Sequence, residues 1–259
     1  MKKIIAIGIG LLVFTDGVFA EDKTNWTGFY GSAMIGRDWG NNGGRNGTVD
    51  LTHIPNNIPV ENWSVVGDGN SLKGWGGNLK FGYNKQLDNN LIGIELGVTL
   101  QDTKSNNQNI IPTGVFGGGP TDTPYGIFSK TKINTYESLS ARIGHIFNTN
   151  TLVYFTGGAA LSSVKNTITN IGSGWDTGSW MPIGNISDSK TELGYLLGAG
   201  VEYKINQNLA LRVNYEYVDF GNVNFKYSSL NCCGDYKGDW NISNSIHFSN
   251  LSAGVSYAF

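Results

Sequence analysis

Leu91-Ile92-Gly93-Ile94-Glu95-Leu96-Gly97-Val98-Thr99-Leu100 alternates with a period of two. Ile92, Ile94, Leu96, Val98 and Leu100 share one parity, and Gly93, Glu95, Gly97 and Thr99 share the other. Successive side chains of a strand point to opposite faces, so this is a strand with one apolar face and one small or polar face. The same reading holds at 193–203, where Leu193, Tyr195, Leu197, Ala199, Val201 and Tyr203 oppose Gly194, Gly198, Gly200 and Glu202. At 209–217, Leu209, Leu211, Val213, Tyr215 and Tyr217 oppose Ala210, Arg212, Asn214 and Glu216. The last strand sets Leu251, Ala253, Val255, Tyr257 and Phe259 against Asn250, Ser252, Gly254 and Ser256. Residues 29–39, 75–83, 139–147 and 153–161 alternate more weakly, with Gly and Ala diluting the apolar face. Each segment is close to the roughly 9–11 residues a tilted strand needs to cross a bilayer, and eight is an even number, as single-chain bacterial barrels require.

The connections alternate in length. Residues 84–90, 148–150 and 204–208 are short turns, whereas 40–71, 103–132, 165–191 and 221–246 are long, polar and Gly-rich. Pro55, Pro59, Pro112, Pro120, Pro124 and Pro182 all fall in the long connections, as they should if proline is kept out of strand interiors. A soluble β-sandwich also alternates. Its second face would meet water, yet here that face is rich in Gly, Ala and Ser with isolated charges. Aromatics (Trp39, Trp75, Phe81, Tyr83, Phe147, Tyr195, Tyr203, Tyr217 and Tyr257) sit near strand ends on the apolar parity, as expected of belts at two membrane interfaces. The expected fold is therefore all-β: an eight-stranded antiparallel up-and-down transmembrane barrel with four long extracellular loops and short periplasmic turns.

Composition supports this and removes other classes. Gly supplies 37 of 259 residues, about twice ordinary usage. Charged residues make up only 15% and aromatics 12%, the opposite of a disordered chain. A net charge of −2 offers no basic field for nucleic acid. Two cysteines allow neither a disulfide scaffold nor a four-cysteine zinc site. Lys2 and Lys3, the apolar run 4–14 and Val18-Phe19-Ala20 read as a secretory signal peptide over 1–20, cut between Ala20 and Glu21. The run is too short for an anchor helix. Residues 21–259 then form the barrel in the outer membrane of a Gram-negative bacterium, loops outside and both mature termini periplasmic.

Trp26-Thr-Gly-Phe-Tyr-Gly31, Gly198-Ala-Gly-Val-Glu-Tyr203, Leu211-Arg-Val-Asn-Tyr-Glu-Tyr-Val-Asp-Phe-Gly221 and Ser252-Ala-Gly-Val-Ser-Tyr-Ala-Phe259 together resemble the small outer-membrane barrels of the OmpA/OmpX-like superfamily. The likeness is greatest to the outer-membrane immunogenic and haemin-binding surface proteins of alphaproteobacteria. It implies antigenicity and, through the loops, haemin as a possible ligand, although His53 is the one loop imidazole and His247 borders another loop. An aromatic C-terminus with apolar residues at every second position (Leu251, Ala253, Val255, Tyr257, Phe259) resembles the signal read by the barrel-assembly machinery.

Parity places Lys80, Glu95, Arg142, Glu202, Arg212 and Glu216 inside the barrel. Three cations and three anions in a lumen just wide enough for side chains argue for mutual pairing and a closed interior; spaced apart in water, they would line a small-solute porin instead. A third class, a lipid-modifying enzyme, would use His247 and Ser249, which share a strand face. No acid follows them to orient the imidazole, so no catalytic residue is assigned. His145 reads as an interfacial residue, and His53 lacks a second ligand at metal spacing. Cys232-Cys233 could close a vicinal disulfide in an oxidising compartment or pair between molecules. Gly117-Gly118-Gly119 lacks the Lys-Ser/Thr of a phosphate loop. The sequence thus points to a surface protein. It is embedded in outer-membrane lipid and lipopolysaccharide, and its long loops touch an unnamed ligand.

Overall fold

The computed structural model describes residues 25–53, 56–67, 69–106, 108–113, 126–171, 185–230 and 236–259. Ala20, Glu21, Cys232 and Cys233 lie outside them. The strands are β1 (Gly28–Asn42), β2 (Arg45–His53), β3 (Ile58–Gly67), β4 (Asn70–Leu87), β5 (Asn90–Ser105), β6 (Gln108–Thr113), β7 (Gly126–Phe147), β8 (Thr151–Ile171), β9 (Asn185–Lys204), β10 (Leu209–Leu230) and β11 (Tyr236–Ala258). Eight of them close a ring in the order β1, β4, β5, β7, β8, β9, β10, β11 and back to β1, with every pair antiparallel.

The long connections are not loops for most of their length. β7 runs for 22 residues and β11 for 23, about twice a membrane crossing. β2, β3 and β6 carry on where β1, β4 and β5 stop, pairing in the order β11, β2, β3, β6, β7. Among the described residues the wall therefore continues well past the membrane-crossing length, while the β9–β10 pairing ends at Tyr195 and Asp219. Two prolines expected in loops lie in this added sheet. Pro59 is in β3 beside a register shift opposite Leu51/Thr52, and Pro112 is in the short β6. Both positions suit a residue without an N–H, because bulges and short strands leave ladder bonds unmade.

Polarity hides the extension from a reading of outward apolar residues. On the turn-side half, Ile35, Leu79, Ile94, Leu96, Leu139, Phe155, Leu197 and Val213 all point outward and are exposed. Beyond Trp39, Trp75 and Tyr195 the pattern inverts. Leu72, Ile133, Val164, Ile168, Val218, Val223, Phe225, Trp240, Ile242, Ile246 and Phe248 point inward and pack as one cluster. Ser163, Lys165, Ser187, Ser189, Asn224, Lys226 and Asn241 cover the outside. Register shifts between Ile133 and Tyr136 and between Asp219 and Asn222 also swap which parity faces inward in β7 and β10. A reading keyed to one apolar parity stops at those bulges.

The outward apolar band needs a non-aqueous solvent. On β5 it spans 92–100, which at about 3.3 Å per residue and a tilt near 40° is roughly 20–25 Å tall, the height of an outer-membrane apolar band. Aromatic rings border it. At the turn end Phe29 stacks on Phe81 at 5.8 Å and meets Tyr83 at 4.9 Å, and Phe259 lies 5.5 Å from Tyr257. At the other border Trp39 lies 6.2 Å from Tyr215, and Tyr217 lies between Tyr195 (6.4 Å) and His247 (6.1 Å). The turn at the end of β7 is tight: Asn148 and Thr149 take φ of 48° and 60°. That region is costly for a β-branched residue. Thr149 is tied down there, its carbonyl accepting the Trp26 indole N–H at 3.1 Å.

Candidate functional site

The interior is filled in three tiers. At the turn end, Trp26 is buried with Leu91, Ile146, Leu152 and Tyr154. The Lys204 ammonium sits 4.7 Å over the Trp26 ring and donates to the carbonyls of Asn25 (2.8 Å) and Gln207 (3.2 Å). The space left between these groups holds about 20 Å³, about one water molecule.

The middle tier carries all six charges expected inside, each at most 5% exposed, and the structure brings them into one network. Glu95 is its hub. It accepts from Arg212 Nη1 (2.6 Å) and Nη2 (3.1 Å) and from the Tyr30 hydroxyl (2.6 Å), with Lys80 Nζ at 3.2 Å. Arg142 Nη2 donates to Glu202 at 2.7 Å, and Arg212 Nε lies 3.6 Å from the same carboxylate. Glu216 pairs with Lys80 and accepts from the Tyr136 hydroxyl at 3.2 Å. The Tyr154 ring lies 3.9 Å from the Arg142 guanidinium, and its hydroxyl accepts from Arg212 Nε at 2.8 Å. Three cations and three anions therefore share one buried cluster, where desolvation is offset only because each charge has a partner.

Beyond it, Phe248 caps Tyr136 edge-on at 5.9 Å and leads into the apolar cluster of the extension. A polar knot sits inside that cluster. The Asn166 carbonyl accepts from Ser129 and Tyr227, both at 2.9 Å, and its amide donates to Thr131 at 3.1 Å.

Sequence reading missed Asp38, Lys204 and the tyrosines 30, 136 and 154. Asp38, Tyr30 and Tyr154 have the inward parity of strands already identified, so the alternation contained them. Lys204 falls in the segment 204–208, whose polarity reads as a turn. Asp38 is fully buried and accepts from Thr103 Oγ1 (2.5 Å) and Asn250 Nδ2 (2.6 Å); among the described residues no cation pairs with it.

The remaining candidates are scattered. Ser249 Oγ is bonded to the Tyr215 hydroxyl at 2.9 Å, and His247 packs on Tyr217. Asp219, opposite His247 in the ladder, accepts from the Tyr195 and Tyr217 hydroxyls and the Gly221 amide. These contacts do not assemble a nucleophile, base and orienting acid. His145 faces outward at the turn end, 2.9 Å from Asn90 Oδ1. His53 stands opposite Tyr236, eleven β11 residues from His247, or about 36 Å along the strand. The two backbone positions are therefore far apart along the wall. Leu251, Ala253, Val255, Tyr257 and Phe259 all face outward.

Comparison with known proteins agrees with this architecture. A sequence model described as the outer membrane protein beta-barrel domain matches residues 9–259. The chain is 28% identical to the 31 kDa outer-membrane immunogenic protein of Brucella melitensis, with both chains covered in full. It is 22% identical to the 25 kDa outer-membrane immunogenic protein of Brucella abortus, covering 100% of this chain and 99% of the relative. Among solved structures, the outer membrane protein OprG from Pseudomonas aeruginosa aligns with a TM-score of 0.45 and 15% identity, over 92% of this chain and 99% of that one. With the family match running through every described strand, this chain belongs to the outer membrane β-barrel protein family.

Proposed function

We propose that the protein is a closed barrel used for display. The short turns and both mature termini face the periplasm, and the strand extension stands clear of the outer leaflet, with its tips meeting host or environmental ligands. The observation that carries this is the filled interior. Trp26 with Lys204, the six-charge network, and the aromatic and apolar tier follow one another along the barrel, and the space at the turn end holds only about 20 Å³. A wider space of about 380 Å³, lined by Lys226, Tyr227, Asp239 and Trp240 among others, belongs to the extension, beyond the charged tier. An extension with a soluble-type core is a rigid platform for surface contact and for antibodies, which fits the immunogenic naming of the Brucella relatives. Leu251 to Phe259 serve the assembly machinery during insertion, and lipid and lipopolysaccharide surround the band afterwards.

Single-channel recording of the folded chain in a planar bilayer tests the closed lumen. Silence from a sample shown to be folded is expected. A steady conductance would overturn the reading in favour of a small-solute porin, with Arg142 and Glu95 the first selectivity residues to replace.

A further inference from the structure

The outer wall just past the aromatic border carries a feature that the barrel itself does not require. Lys73 on β4 faces Lys104 on β5, Lys104 faces Lys132 on β7, and Lys132 faces Lys165 on β8. Four lysines on four adjacent strands thus stand directly opposite one another, pointing outward. Like charges placed so are destabilising. Asp102 relieves part of this, with Lys104 Nζ at 2.9 Å and Lys132 Nζ at 3.2 Å, but among the described residues it is the one carboxylate paired with any of the row's four ammonium groups. Arg37 adds a further cation beside the row, 5.8 Å from the Trp75 ring.

Position identifies what the row meets. Trp39 faces Lys73 in the same hydrogen-bonded row, and Lys73 is two residues past Trp75 on one face of β4. Lys104 is four residues past Leu100, and Lys165 is four past Leu161, the last outward leucines of their strands. The ammonium groups therefore sit where hydrocarbon gives way to headgroups, within reach of side chains that extend along the wall. A soluble anion would not explain why the row follows the edge of the apolar band. Resting on the orientation proposed above, we propose that Lys73, Lys104, Lys132 and Lys165 form a belt that binds the phosphate groups of the glycolipid in the outer leaflet.

The test uses the full chain folded in an uncharged detergent, with lipid A as the probe and heat-modifiable electrophoretic mobility as the readout of unfolding. Lipid A should raise the unfolding temperature saturably. Dephosphorylated lipid A, or inorganic phosphate at equal phosphate concentration, should not. The variant Lys104→Gln/Lys132→Gln/Lys165→Gln should need at least about ten-fold more lipid A for the same shift. Without lipid it should unfold at the wild-type temperature or higher, because the like-charge row is relieved; a merely structural role would lower it. Lys226→Gln/Lys237→Gln, on another part of the wall, should respond as wild type. If the triple variant does not fold, Lys132→Gln alone and a salt titration of the wild type replace it, and salt should weaken the lipid A response. A triple variant with the wild-type response overturns the belt, and an equal shift from inorganic phosphate overturns its lipid source. Either failure leaves the conductance result, and so the closed-barrel reading, untouched.

Discussion

On the turn side of the Trp39–Trp75 border the wall wears leucine, isoleucine and phenylalanine outside and encloses lysine, arginine and glutamate. On the far side the same strands enclose valine, isoleucine, phenylalanine and tryptophan and wear serine, asparagine and lysine. One wall serves two solvents. Where lipid is outside, apolar surface is free to face it and the charges must satisfy one another within. Where water is outside, the usual hydrophobic driving force returns and fills the interior. The border between the regimes is marked by three things at once: the aromatic ring, the bulges in β7 and β10, and the lysine row.

The sharpest way to break the comparison is to remove the hub of the charged interior. Glu95→Ala leaves Arg212, Lys80 and Tyr30 without their shared acceptor in a dry site, which should cost about 3–5 kcal/mol in urea unfolding from lipid vesicles. High salt should not rescue it, because a buried network is poorly screened. A loss under about 1 kcal/mol would mean that water reaches the network and that the two halves differ less than their side chains suggest.

A matched pair of outward substitutions sharpens the boundary. Ile94 is 62% exposed in the middle of the apolar band, and Ile94→Lys should destabilise by about 2–4 kcal/mol in vesicles. Lys226→Leu, outward on the extension, should change stability by no more than about 0.5 kcal/mol. Equal effects at the two positions would place both in the same solvent and erase the boundary.

The lipid-facing half could be read from the alternation alone. Every strand segment between the aromatic belts lies in the ring, and the six inward charges are all in contact range of a partner. The extension could not be read in the same way, for physical reasons. Its apolar residues face inward and are spaced by Ser, Thr and Asn, as in 162–168, so the outward hydrophobic signal vanishes as the strand leaves the lipid. At the Asp219–Asn222 shift the inward residues pass from Val218 and Phe220 to Val223 and Phe225, which breaks any strict period of two. The partners across the lumen were also out of reach, since parity fixes direction while Glu95 and Arg212 meet from strands 117 positions apart.

The smallest effect contrasts with Glu95 most directly. Asp102 also accepts from a lysine, but on the watery outside of β5, with 57% of its side chain exposed. The hydrogen bond from Lys104, joined by that from Lys132, holds its carboxyl below the usual aspartate range. A lowered folded-state value means that the stabilisation is present above the unfolded value near about 4 and is lost as pH falls through the folded one. Screening by water limits it to a few tenths of a kcal/mol. Asp102→Asn should therefore lower the unfolding temperature slightly at pH 7, converge on wild type as the pH falls below the lowered folded value, and show no difference in about 0.5 M salt. Should Asp102→Asn cost as much as Glu95→Ala, and do so in salt, this part of the wall would have to be dry, and the boundary would belong farther along the strands than the aromatic ring places it.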